Sequence, residues 1–443
     1  MKPLSILHIN TMDQGGGAAQ LAFNLVQASN AAGHKATMAV RAKKSQRDFV
    51  SLIDNDGNRH GWARFCLRTL ERKNGSQRLA RLFGRPWDTA RVLMGHEDFD
   101  FPGIWKLFER LSYKPDLLHL HNLHGNYFDL RALPWLSQQI PTVVTLHDAW
   151  MMSGHCSHGF DCERWRTGCG HCPDLSIYPA IPRDATAYNW RRKQAIYSKS
   201  RLHMVAPARW LMRKAKESML APAIASSRVI PHGIDLTVFK PGDRAQARVE
   251  LGLPMDATIL LFAAAGIRDN IWKDYQTMRR AFESLGSSSG RQGLLFLAVG
   301  DDGPVEKIGG NELRFIPHSS DRALLAKYYQ AADLYVHGAK AEAWGLTITE
   351  AMACGLPVVG SDVGGIPDQV AEGESGYLVP VGDDQLMARR IAMLLDDPSR
   401  RAEMGRWACD RAHAEFGISN MAGNYLDFYR TILQIADPIS QSS

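Results

Sequence analysis

The sequence predicts an α/β protein made of two doubly wound domains, and three observations carry that expectation. Short β-branched and leucine-rich runs alternate with helical patterns along the chain, as they do where crossover helices cover a parallel sheet. The runs fall into two sets, divided by a proline- and glycine-containing stretch at 231–242 where the alternation breaks. The two sides also differ in charge: residues 1–230 hold 32 Lys+Arg and 18 Asp+Glu, and the remainder 20 and 28. A chain of 443 residues with 45% hydrophobic and 22% charged side chains has the composition of a globular protein and the length for two or three cores. Disorder, collagen and a small disulfide scaffold are excluded.

In order, the first set of strands is expected at 5–10, 35–42, 117–122, 142–148, 202–208 and 227–232. The second set is expected at 258–265, 293–300, 313–317, 334–337, 357–361 and 376–381. Most of these runs are apolar throughout, the pattern of strands buried on both faces. The N-terminal segment carries one lysine, Lys2, and no small-residue cleavage site. It therefore reads as the first strand and not as a signal peptide, and the expected location is the cytoplasm, where thiols stay reduced. The longest apolar run, 259–267, is far short of the ~20 residues a bilayer crossing needs. Residues 287–290 (Ser-Ser-Ser-Gly) read as a surface loop. A last helix is expected from an N-cap at Ser419, with Met421, Tyr425, Phe428, Ile432 and Ile435 at helical spacing, before a polar tail after Asp437.

Two stretches hold residues suited to chemistry. Gly15, Gly16 and Gly17 follow the first strand and open an amphipathic helix. They fit a tight turn and equally a phosphate cradle of backbone N–H groups at a helix's positive end. In the second half, Glu342 lies in a loop after the strand ending near His337, and Glu350 lies eight residues on, in a helix that starts at 345–347. Gly345 would leave room for a diphosphate beside the free N–H groups of the first turn. Plainer readings stand beside this one. Thr347-x-x-Glu350 has the spacing of a capping box, and Glu342 fits a solvated loop carboxylate. Asp301-Asp302 reads as a strand-end turn and not as a metal site.

The Glu342…Glu350 pair, followed by Ala-Met-Ala-Cys-Gly-Leu-Pro-Val-Val, resembles the signature of the retaining nucleotide-sugar glycosyltransferases of family 4. The remaining motifs agree in order: the glycine loop, His119-Leu120-His121-Asn122, Thr145-Leu146-His147-Asp148, Pro231-His232-Gly233-Ile234-Asp235, Gly300-Asp301-Asp302-Gly303 and Gly364-Gly365-Ile366-Pro367-Asp368. The resemblance implies the GT-B fold, two Rossmann-like domains facing a cleft with the last helix crossing back to the first domain. The expected domains are then an acceptor-binding domain at 1–235, a donor-binding domain at 236–418 and the helix at 419–437.

The same resemblance implies roles. Glu350 would hold the donor ribose hydroxyls, Glu342 would lie beside the transferred sugar, and the N–H groups of Leu346 and Thr347 would meet the diphosphate. Lys273 matches a family cation on that diphosphate. Arg268 is assigned by reach alone, because the usual Gly-Arg pair is replaced in this stretch. Gly15, Gly16, Gly17 and His147 would contact the donor from the first domain. The implied activity moves a sugar from a UDP- or GDP-sugar to a lipid-linked or saccharide acceptor in exopolysaccharide or lipopolysaccharide assembly, with retention and no cofactor required for catalysis. The rivals are a nucleotide-sugar epimerase of the same architecture and a catalytically silent binding protein.

Cys156, Cys162, Cys169 and Cys172 lie within 17 residues of the segment 155–173, whereas Cys66, Cys354 and Cys409 are scattered. Cys169-x2-Cys172 is a zinc half-site, and four thiolates would form a closed structural site. His155, His158 and His171 are alternative ligands, and redox-labile disulfides are the competing account. Similar Cys-rich inserts occur in members resembling colanic-acid and exopolysaccharide glycosyltransferases. Residues 59–91 interleave nine basic residues, from Arg59 to Arg91, with Trp62, Phe65, Phe83 and Trp87. The pattern suits docking on an anionic membrane and equally a core-facing helix with a solvated basic side. No nucleic-acid motif accompanies the charge, so nucleic acid is not an expected partner.

Overall fold

The computed structural model describes residues 2–74, 77–287 and 291–436, without side-chain detail at 70–74, 77–78, 435 and 436. The expectations placed on Ser288–Gly290, on the Leu70, Arg72, Lys73, Arg78 and Ile435 side chains, and on the tail lie outside the described residues.

All twelve expected strands form. The first sheet contains β1 (Ser5–Met12), β2 (Lys35–Ala42), β3 (Val50–Leu52), β4 (Leu117–His121), β5 (Thr142–Thr145), β6 (Leu202–Ala206) and β7 (Ile224–Val229). Its order is β3-β2-β1-β4-β5-β6-β7, and every neighbouring pair is parallel. The second contains β8 (Thr258–Ala263), β9 (Leu294–Val299), β10 (Glu306–Ile308), β11 (Asn311–Ile316), β12 (Leu334–His337), β13 (Val358–Ser361) and β14 (Gly376–Val379). Its order is β10-β11-β9-β8-β12-β13-β14, parallel except for the β10–β11 hairpin. Two three-residue strands, β3 and β10, were not expected. Each is an edge strand, and β3 leaves Ser51 and Leu52 exposed, so neither carries the apolar run that marks a central strand.

The central strands are dry. Every residue of β4, β5, β6, β9 and β12 is buried, and a separate apolar core packs against each sheet. Two compact units result, one ending at Ile230 and resuming at Ala422, the other running from Pro231 to Met421. The last helix, Ile418–Ala436, therefore begins in the second unit and contributes from Ala422 onward to the first. It starts one residue before the expected cap Ser419. Two hydrogen bonds, Ile234 N–H to Phe416 O (2.8 Å) and Ile418 N–H to Ile234 O (3.0 Å), hold the chain just ahead of it.

The basic stretch divides between the two readings given for it. Arg59 and Arg85 are buried. Arg85 makes a two-pronged bond to Asp98, both contacts at 2.9 Å, and lies 3.0 Å from Asp100; Arg59 Nη1 lies 2.5 Å from Asp100 Oδ2. By contrast Trp62, Phe65, Phe83 and Trp87 are 56–81% exposed, and Arg68, Arg81 and Arg91 are exposed with them. Among the described residues no helix is long and apolar enough to cross a membrane.

The buried Arg85 network yields a prediction. Replacing Arg85 with Ala removes a cation shared by Asp88, Asp98 and Asp100 and should cost about 3 kcal/mol of unfolding free energy. Arg91→Ala, on the exposed side, should cost well under 1 kcal/mol. Chemical denaturation of the two variants measures the difference.

Candidate active site

In an open parallel sheet, ligands bind beyond the C-terminal strand ends, where neighbouring strands send their connections to opposite faces. In the second sheet that place is between β8 and β12. The loop after β8 carries Arg268 and Lys273, and the loop after β12 carries Glu342. Backbone contacts bind the two loops together: Lys273 bridges Ala339 in antiparallel fashion, and the N–H groups of Lys340 and Ala341 donate to Trp272 O at 2.9 and 3.2 Å. Gly364 supports the same loop from the β13 side. Its φ is +59°, and a Cβ there would stand 1.9 Å from the carbonyl oxygen of Glu342, so only glycine permits the approach.

This backbone brings three charged or titratable side chains together. Lys273 Nζ lies 2.5 Å from Glu342 Oε2, and His337 Nε2 lies 3.4 Å from the same oxygen. His337 is in turn held by Tyr335, whose hydroxyl lies 3.2 Å from Nδ1 and donates to Ala263 O at 3.3 Å. Burial would raise the Glu342 carboxyl, but the Lys273 cation and the His337 contact hold it well below the usual carboxylate range. Burial pushes His337 down to about 4, so the ring is neutral and the cluster carries one positive and one negative charge. Glu342 is not the solvated loop carboxylate of the plainer reading.

Glu350 sits in the opposite environment. The helix Leu346–Ala353 has Gly345 as its N-cap with no side-chain cap, so the capping box with Thr347 does not form. Glu350 instead accepts a hydrogen bond from the Tyr329 hydroxyl at 3.2 Å, with Arg322 Nη2 3.8 Å away. Burial dominates, and the carboxyl is pushed up to about 7. The Leu346 and Thr347 N–H groups belong to the uncapped first turn, with the partial positive charge of a helix end. Gly345 is clamped by Gln369, which accepts from its N–H at 3.1 Å and donates to its carbonyl at 2.8 Å. A Cβ on Gly345 would lie 2.8 Å from Ile348 Cδ1, so a larger residue there would have to displace the end of that side chain.

Arg268 does not join the cluster. Its backbone N–H donates to Asp301 Oδ2 at 3.0 Å, its side chain reaches Asp301 and the carbonyl of Asp302, and the guanidinium lies over the Phe315 ring. Asp301 also accepts from Ile267 N–H, so its carboxylate is tied to the loop after β8.

In the first unit the helix Gly17–Ala31 likewise has no side-chain cap; Gly15 and Gly16 precede it with φ of +103° and +82°. Asp13 anchors this turn by accepting from the N–H groups of Lys44 and Ser45 at 2.8 Å. His147 follows β5, and its Nε2 lies 3.1 Å from His121 Nδ1; His121 Nε2 lies 3.3 Å from His8 Nδ1. Beside them His119 bonds Tyr429 at 2.7 Å and Thr145 at 2.7 Å, and Thr145 bonds Tyr425 at 2.9 Å. Three nitrogens of His8, His119 and His121 fall within 4.8 Å of one another, but all ring nitrogens except His8 Nε2 are already engaged. Burial pushes His8 down to about 3 and His147 down to about 4, and His119 well below its usual value, so these three rings of the histidine ladder are neutral near pH 7. Cys156, Cys162, Cys169 and Cys172 lie in a separate loop of this unit, all as free thiols.

Sequence reading did not single out His337, Tyr335, Tyr329, Arg322 or Gln369 as site residues. His337 ends a recognisable strand five residues before Glu342, and that was a usable signal. Tyr335 precedes it by two residues on the same strand, whereas Tyr329, Arg322 and Gln369 reach the site from other elements, with no local pattern to reveal them.

Residues 15–238 match the family described as Glycosyltransferase Family 4, and residues 243–410 match Glycosyl transferases group 1. A D-inositol 3-phosphate glycosyltransferase of Catenulispora acidiphila is 37% identical over 211 residues, 44% of this chain and 48% of that one. The chain thus spans about half the length of the first curated relatives it matches. Sucrose-phosphate synthase from Thermosynechococcus elongatus superposes with a TM-score of 0.64 at 20% identity, covering 97% of this chain and 99% of that one. Anabaena HepE, solved with UDP and glucose, gives 0.61 at 16% identity, covering 97% and 100%. These structural likenesses show the fold, the two-unit GT-B architecture.

Glu350 makes a stability prediction with a definite sign. Its pKa is raised from 4.5 to about 7 in the folded protein, so its stabilising contribution is complete below about pH 4.5 and is lost as pH rises through about 7. Glu350→Gln should therefore be more stable than the parent near pH 8, by on the order of 1–3 kcal/mol, and nearly equal near pH 4.5. Denaturant unfolding at the two pH values reads this directly.

Proposed function

The chain belongs to glycosyltransferase family 4, and we propose that it is a retaining enzyme that moves a sugar from a UDP- or GDP-sugar to a lipid-linked or saccharide acceptor in surface-polysaccharide assembly. The observation that carries this reading is the Lys273–Glu342–His337 cluster, set in the loop that leads into an uncapped helix containing a second, differently tuned carboxyl. HepE, solved with UDP and glucose, supports a nucleotide-sugar donor.

The chemistry follows from these groups. As the glycosidic bond breaks, the leaving diphosphate gains negative charge, and Lys273 with the Leu346 and Thr347 N–H groups stabilises it most at that point. The ionised Glu342 lies beside the sugar and favours the positive charge of an oxocarbenium-like centre. A departing phosphate oxygen takes the proton of the incoming hydroxyl on the same face, which preserves the anomeric configuration. Glu350 accepts hydrogen bonds from the donor ribose. Gly15, Gly16, Gly17 and His147 serve the donor from the first unit; in this reading no step uses a metal. Arg268, tied to Asp301, contributes only if the donor draws it from that turn. The exposed Trp62, Phe65, Phe83 and Trp87 with Arg68, Arg81 and Arg91 suit a peripheral contact with anionic lipid on the inner face of the cell membrane.

Glu342→Gln keeps the side-chain shape but removes the charge, and should lower kcat by about 100-fold or more with nucleotide binding retained. Parent-like turnover, measured with membrane extract as acceptor source, would sink the assignment. Product formed without any acceptor would identify an epimerase. No thermal stabilisation by UDP- or GDP-sugars would favour the silent binding protein.

The membrane contact has its own test. The parent should co-sediment with vesicles containing phosphatidylglycerol and not with neutral ones, and Phe83→Ser combined with Trp87→Ser should reduce binding by about 10-fold or more. Equal binding to both vesicle types would remove the contact from the proposal.

A further inference from the structure

The loop between the Trp150–Met152 turn and the helix Thr186–Tyr197 takes no part in the chemistry above, yet it gathers more soft ligands than any other described part of the chain. We propose that it is a zinc site built on His155 and Cys172, completed by Cys169 and by one of the two remaining thiolates, Cys156 and Cys162.

The side chains converge. All four cysteines and His155 line one small cavity of about 30 Å³, and none of the four thiols is paired. His155 Nδ1 lies 3.1 Å from the carbonyl oxygen of Pro179. A carbonyl only accepts, so the proton of the neutral ring is on Nδ1, and the lone pair on Nε2 faces Cys172 Sγ at 3.4 Å. A carbonyl bonded to one ring nitrogen is the usual partner of a histidine whose other nitrogen binds metal. With Zn–N of about 2.0 Å and Zn–S of about 2.3 Å, two ligands of a tetrahedral ion stand about 3.5 Å apart. The observed separation has that length.

The backbone supports the same conclusion. Gly168, Cys169, Gly170 and His171 are four consecutive residues with positive φ (+123°, +57°, +87° and +48°). Cys169 and His171 lie in a region that side-chain-bearing residues seldom occupy. The run turns the Cys169-x2-Cys172 knuckle onto the cavity, where Gly154 N–H donates to Cys169 Sγ at 3.3 Å. Regular structure in the loop is limited to the single turn Arg164–Arg166, so its order depends on turns and side-chain contacts. A cross-link through a metal would supply what a sheet or helix otherwise provides.

Charge is consistent as well. Three thiolates and one imidazole around Zn²⁺ carry a net charge of −1, and Arg164 and Lys214 line the same cavity. Every ligand position would be taken by protein, which makes the site structural. The sulfurs are not yet as close as the ladder histidines, the one described trio of such groups with ligand atoms within 4.8 Å of one another. Binding would draw the loop inward around His155 and Cys172.

The test uses the full-length chain purified without chelator. Elemental analysis should find about one zinc per chain. Protein reconstituted with cobalt(II) should show the d–d absorption of a tetrahedral ion and thiolate-to-metal charge transfer. His155→Gln and Cys172→Ser should each reduce bound zinc at least fivefold, whereas Cys409→Ser should retain it. Four alkylatable thiols without zinc, disulfides found by mass spectrometry, or zinc retained in both loop variants would overturn the proposal. The cobalt spectrum keeps the result interpretable if a variant fails to fold, and none of these readouts depends on glycosyl transfer.

Discussion

A carboxylate removed from water has to find a cation, and the second unit is organised around that requirement at Glu342. Lys273 meets it at 2.5 Å, but only because the Trp272 carbonyl binds the loop after β12 and because Gly364 allows its chain to touch the Glu342 backbone. The pair has a second consequence. In the proposed reaction, a cation already matched to a carboxylate would be shared with the diphosphate without first being stripped of water, so charge stabilisation would be in place beforehand. Glu350, eight residues on, has a hydroxyl at 3.2 Å and its nearest cation at 3.8 Å. Its burial is only partly offset, and two identical side chains are shifted in opposite directions.

Much of the fold was legible because a strand buried on both faces needs an uninterrupted apolar run. β8, β9 and β12 have such runs, whereas β3 and β10 are edge pieces whose existence depends on a neighbour. The candidate site was legible in part. Glu342, Glu350 and Lys273 stand in recognisable loops and helix starts, but the state of Glu342 depends on the distant Lys273 and that of Glu350 on Tyr329 and Arg322, which arrive through the topology. One plainer local reading fails: Thr347-x-x-Glu350 is not a capping box, since Gly345 is the cap and Glu350 turns to Tyr329.

The charge asymmetry also changes meaning when side chains are placed. Part of the basic surplus of the first unit is internal: the buried Arg59 and Arg85 are paired with the partly exposed Asp98 and Asp100. The exposed remainder is accompanied by four aromatic side chains, a combination that surface charge alone does not require. Counting charges along the sequence cannot separate these populations, because burial depends on where the acidic partners fold.

The final helix has a consequence for synthesis. Tyr425 and Tyr429 close the polar ladder of the first unit through Thr145 and His119, yet nearly two hundred residues of the other unit are translated before them. The half of the protein that emerges first from the ribosome cannot finish its core until the last helix arrives. During that interval Thr145 and His119 face water in place of Tyr425 and Tyr429, and the apolar surface that the helix covers stays exposed until the younger segment is complete.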